Sequence, residues 1–212
     1  MTDTLADPRA EHGNAHVQAR DEGGIAPRRI VVGYGFWLFL VSDIIVFAAF
    51  FATYAVLSGS RDGGPGPQEL FSTGIVAAET LLLLTSTLVC GCAQVAFDQK
   101  SLLWTQIALF ATGLLGAAFL LLEIREFGNL ISDGAGPQRS AFLSSFFALV
   151  GCHGGHVAVA ILWCGTMMAQ ILARGFTDEM GRRLMCFSLF WHALDIVWIG
   201  VFTIVYLIGI HG

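Results

Sequence analysis

"LFWHALDIVWIG", residues 189–200, decides the fold. Ten of its twelve residues suit a lipid environment; the other two, His192 and Asp195, are ionisable and stand three apart. An ionisable group at the centre of a bilayer costs at least ~2.5 kcal/mol, so its presence in an apolar run calls for a reason. The run extends on both sides to about 185–209, and about 20 apolar residues of helix cross a bilayer.

Four more runs share this length and character, at about 33–57, 70–96, 102–125 and 142–172. The chain is 55% hydrophobic and 13% charged, with a mean hydropathy of +0.70. A soluble domain carries about 25% charged residues. The runs are continuous, whereas barrel strands alternate. The pattern therefore predicts an all-α integral membrane protein: a five-helix transmembrane bundle over 33–212 with a polar tail over 1–32. That tail holds four arginines and five acids over its first thirty residues, together with His12 and His16, and no apolar core. It reads as disordered and lacks the apolar stretch of a cleaved secretory signal.

Connections read as short. "SGSRDGGPGPQE" (58–69) and "GNLISDGAGPQRS" (128–140) carry Gly/Pro turn signals; "FDQK" (97–100) and "RGFTDEMGRR" (174–183) lie at the opposite end. With the N-terminus inside, Arg9, Arg20, Arg28, Arg29, Lys100, Arg174, Arg182 and Arg183 fall on the inner side, and Arg61, Arg125 and Arg139 on the outer. Eight against three places the N-terminus in the cytoplasm and the C-terminus outside. No basic cluster points to nucleic acid. The five cysteines lie in apolar runs and read as free, buried, small residues. Gly91, Gly113, Gly116, Gly151, Gly154, Gly155 and Gly165 mark close helix approach.

Every helix carries an ionisable residue: Asp43, then Glu79, then Glu123 and Glu126, then His153 and His156, then His192 and Asp195. Residues three apart share a helix face, so the last three pairs each sit side by side. Depth along the helices, at about 1.5 Å per residue, brings Asp43, His192 and Asp195 together in the inner half. It puts Glu123, Glu126, His153 and His156 in the outer half, with Glu79 between. Di-iron bundles use Glu-x-x-His on two helices; Val150 and Leu189 stand where those glutamates would be. Haem ligation by His153, His156 or His192, a proton relay, and a network of interhelical hydrogen bonds and lipid-headgroup contacts remain as readings. The network is preferred, with bonds of about 0.6 kcal/mol each that fix register. No repeat divides the chain into the two halves of a transporter.

Several stretches carry a family resemblance: "GFWLFLVSDIIVFAAFFATYAVL" (35–57), "ETLLLLTS" (79–86), "EIREF" (123–127), "GPQRSAFLSSFFALVGCHGGHV" (136–157) and "FSLFWHALDIVWIGVFTIVYLIG" (187–209). They resemble subunit III of the haem–copper terminal oxidases, in particular the five-helix form in bacterial cytochrome bo-type ubiquinol oxidases. The matching family positions are Glu79, Glu123, Glu126, His153, His156, His192 and Asp195. Asp43 stands where mitochondrial-type members have a glutamate. Larger members have two further N-terminal helices that help enclose a lipid-filled cleft; this chain has its polar tail there.

The resemblance implies an accessory subunit with no catalytic, metal or cofactor site of its own. Haems, copper and quinone belong to partner subunits. It implies direct packing on subunit I, which reduces dioxygen and pumps protons, alongside subunits II and IV. It also implies bound phospholipid and residence in a bacterial inner membrane. The alternatives are subunit III of a cytochrome c oxidase, or a subunit that contributes a proton-uptake path.

Overall fold

A computed structural model describes residues 28–59 and 73–207. The polar tail up to residue 27, His12 and His16, most of the 58–69 connection, the first residues of the second run and everything after 207 lie outside the described residues. Five long helices follow one another: α1 Arg28–Leu57, α2 Thr73–Asp98, α3 Leu102–Ser132, α4 Ala141–Arg174 and α5 Asp178–Val201. The chain then widens into a π-helical turn, Phe202–Leu207. All five spans are long and apolar enough to cross a membrane, so this is a multi-pass, all-α membrane protein.

Helix ends differ from the apolar-run boundaries for local reasons. Residues 28–32 are helical and belong to α1 rather than to a tail. α5 begins at Asp178, seven residues ahead of its apolar run. Thr177 caps it by accepting from Met180 N at 3.3 Å, and Asp178 and Glu179 complement the positive end of the helix dipole. The polar segment 178–184 is drawn in because Met180, Leu184 and Phe187 bury one stripe. α3 continues past 125 to Ser132 because its buried face carries on through Glu126 and Leu130. It stops at the turn where Gly134 takes φ +77°, a conformation that favours glycine. Ser140 caps α4, accepting from Leu143 N at 3.2 Å.

α5 is central. It packs on α1, α2 and α4, while α3 bridges α2 and α4, and α1 touches only α4 and α5 among the strong contacts. Trp191, Trp198, Phe187 and Phe119 fill the core. Phe97 and Phe176 meet edge to face at 5.1 Å, which brings the α2–α3 and α4–α5 turns to the same end of the bundle. Lys100 and Arg182 line one depression there.

Candidate functional site

Among the described residues, the acids and most of the imidazoles inside the bundle fall into three polar groups. The first is a seam between α2 and α5. Trp191 Nε1–H donates to Ser86 Oγ at 3.0 Å, Trp198 Nε1–H donates to Thr80 Oγ1 at 3.1 Å, and the Thr87 hydroxyl donates to Asp195. Residues 191, 195 and 198 follow a four-then-three spacing, so one face of α5 carries all three partners. Sequence reasoning singled out Asp195 alone. The signal for the rest was present in the seven-residue spacing of Thr80 and Thr87 and of Trp191 and Trp198, two helical turns each.

His192 lies beside Asp195 but bonds within its own helix. Its Nδ1 is 2.6 Å from the Ser188 carbonyl. A carbonyl only accepts, so Nδ1 carries the proton.

The second group joins α1 to α4. His156 Nε2 is 3.2 Å from Asp43 Oδ1, and His156 Nδ1 is anchored 2.7 Å from the Cys152 carbonyl. Asp43 therefore meets His156 instead of His192 and Asp195. Asp43 is the sixteenth of the 30 residues of α1, and His156 the sixteenth of the 34 of α4. Both fall at mid-span, so the helix 4 histidines are not confined to the outer half. α1 sends its buried stripe of Leu40, Phe47 and Tyr54 against its neighbours, and Asp43 stands at the edge of that stripe, facing α4. The pair is only partly covered, with 18% of the Asp43 and 28% of the His156 side chain exposed.

The third group is fully internal. Glu79, Glu123 and Glu126 are buried and within electrostatic reach of one another. Tyr206, presented by the π-helical turn, is buried and lies within electrostatic reach of all three acids. The Glu123 carboxyl lies against Gly154, where a Cβ would come within 2.7 Å of it. Both Glu79 oxygens, Glu123 Oε2 and both His153 nitrogens find no hydrogen-bond partner among the described residues. Although three residues from His156, His153 turns inward. Phe119 meets its ring edge-on at 5.8 Å and Trp198 lies across it at 5.2 Å.

These positions do not converge on a metal. Cys152 Sγ approaches His156 at Nδ1, 3.7 Å away, whereas Asp43 approaches at Nε2, so the three share no central point. No group of three or more His, Cys, Asp or Glu side chains that could hold an ion occurs among the described residues. The cysteines are free, but their environments vary. Cys90, Cys164 and Cys186 are buried, Cys152 is half-buried and Cys92 is exposed. Cys92 is two residues from Cys90, on the opposite side of a helix that has one buried face.

Residues 25–210 match the model of the family described as cytochrome c oxidase subunit III. This chain belongs to that family. Among curated relatives, cytochrome bo(3) ubiquinol oxidase subunit 3 of Pseudomonas aeruginosa is 48% identical over 203 residues, covering 94% of this chain and 92% of that one. The protein of the same name from Pseudomonas putida is 53% identical over 180 residues, covering 83% and 85%. Cytochrome c oxidase subunit 3 of Bacillus sp. (strain PS3) is 44% identical over 182 residues, covering 84% and 86%. As a subunit III family member, the chain is read through its fit to neighbours and not through a catalytic centre. Four of the contacts described above fasten one helix to another: Thr87 to Asp195, Trp191 to Ser86, Trp198 to Thr80, and Asp43 to His156.

Proposed function

We propose that this chain is the accessory, non-redox subunit III of a proton-pumping haem–copper ubiquinol oxidase. That complex oxidises quinol and reduces dioxygen to water in aerobic respiration. The chain packs on catalytic subunit I, in company with subunits II and IV, and supports its assembly and durability. Haems, copper and quinone reside in those partners; phospholipid binds here. The chain lies in a bacterial inner membrane with its N-terminus in the cytoplasm, which agrees with Lys100 and Arg182 at one end of the bundle and with the positive-inside rule.

One observation carries the reading. Asp43, His156 and Asp195 are engaged helix to helix, His192 is anchored within its own helix, His153 is enclosed by rings, and no group of three or more His, Cys, Asp or Glu side chains among the described residues is arranged to ligate. His156 reaches Asp43, His192 reaches Ser188, and His153 is boxed by Phe119 and Trp198. Affinity purification through a tag on this chain tests it. Subunits with haem absorbance and quinol oxidase activity should accompany the chain. A chain purified alone, or with partners that carry no haem, sinks the proposal. The copurified activity also separates quinol from cytochrome c as donor, since relatives of both names match.

A contribution to proton uptake is the second reading. It is favoured by Glu79, whose two carboxyl oxygens are buried and find no partner among the described residues. Protons pumped per electron in Asp43→Asn and Glu79→Gln complexes decide it, because an unchanged ratio excludes the path.

A further inference from the structure

His192 and His156 are anchored by the same device, Nδ1–H donating to the carbonyl four residues back, at 2.6 and 2.7 Å. Their Nε2 atoms meet different fates. That of His156 finds Asp43. For that of His192 no partner occurs among the described residues.

His192 is half-buried and lies on the stripe of α5 that turns away from the bundle, with Leu189, Ile196 and Ile199 exposed along it. It is the fifteenth of the 30 residues in its span, Asp178–Leu207. That depth is about 21 Å from the start of the helix. Lipid headgroups lie about 15 Å from the bilayer midplane, so they do not reach it. Acyl chains offer no hydrogen bond, and a polar group left bare in hydrocarbon costs several kcal/mol.

We propose that this face of α5 is a docking surface for a transmembrane helix of a partner subunit. That helix carries a neutral hydroxyl or amide side chain which donates to His192 Nε2. The donor requirement follows from the tautomer: with Nδ1–H fixed on Ser188, a neutral ring presents only a lone pair at Nε2. Ile196, one turn further along the stripe and 69% exposed, packs against the same helix. The inference rests on the reading of the chain as an oxidase subunit.

The test places a photoreactive benzophenone residue at Ile196 in the full complex, purified through a tag on this chain. Irradiation should join the chain to a transmembrane segment of a haem-complex subunit, mapped by mass spectrometry. Retention of the chain in the complex after a detergent wash should fall about threefold in His192→Leu, the worth of one average bilayer hydrogen bond. It should hold in His192→Gln, whose amide oxygen still accepts. Lipid adducts alone, in a complex that still purifies with its haem, overturn the docking surface and leave the accessory-subunit reading standing. Equal retention of His192→Leu and His192→Gln overturns the donor chemistry. A tagged chain that brings down no haem-bearing subunit overturns the parent reading and this inference with it.

Discussion

His156 Nε2 stands 3.2 Å from Asp43 Oδ1, the one contact between a carboxylate and a basic side chain among the described residues that joins two different helices. Removing either partner strands the other in a low-dielectric setting. Asp43→Leu and His156→Leu should each lower stability by about 1–3 kcal/mol. The double variant should lose less than the sum, because it strands nothing. Heat-inactivation midpoints of the four forms in detergent give the coupling. Strict additivity would show that the contact carries no energy.

The α2–α5 seam makes a second set of expectations. Thr87→Val and Thr80→Val each delete one interhelical hydrogen bond and keep the volume. Each should cost about 0.6 kcal/mol, and not much beyond ~1.7 kcal/mol. Trp198→Phe removes the donor to Thr80 and also core volume, so it should cost more than Thr80→Val. The same melting assay ranks them. A larger loss in Thr80→Val than in Trp198→Phe would contradict the packing.

Neighbouring glycines separate contact from composition. A Cβ at Gly154 would lie 2.7 Å from Glu123 Oε1, and one at Gly116 2.7 Å from Trp191 Cη2, whereas Gly155 has nothing within 4 Å. Gly154→Ala and Gly116→Ala should each destabilise by about 1–3 kcal/mol through overpacking. Gly155→Ala should be neutral in the isolated fold. If it impairs assembly with unchanged stability of the chain, that side of α4 contacts another subunit.

At the polar end, Arg183 donates to Gln170 at 2.8 Å and to Glu179 at 2.6 Å. The ion pair is about half exposed, and exposed pairs contribute between 0 and about 1 kcal/mol. Glu179→Ala should barely move the melting midpoint, and raised salt should erase what difference there is.

The membrane bundle was legible because apolar runs of bilayer length leave few alternatives, and intramembrane acids and imidazoles stand out against them. Pairing was not legible. A three-residue spacing tells which residues share a face, but not which helix that face meets. Asp43 and His156 are brought together by the crossing of α1 on α4, 113 positions apart in sequence, which no local pattern records. Apolar-run boundaries also misplace depth. Capped by Thr177, α5 starts at Asp178, seven residues before its run, and this shifts His192 to mid-span. The Thr80, Ser86 and Thr87 hydroxyls escaped notice because isolated hydroxyls in a helix most often bond their own backbone, as Thr85 and Thr112 do here. The groups opposite them, two tryptophan N–H groups and the Asp195 carboxylate, reveal the seam.

The most direct test of the whole account is the reduced-minus-oxidised haem spectrum, per mole of purified complex, with His153→Phe, His156→Leu and His192→Leu introduced in turn. Imidazoles that hold helices together and ligate nothing predict lower yields or faster inactivation, with full haem absorbance in whatever complex assembles. A variant that assembles at normal yield and lacks a haem band would contradict it.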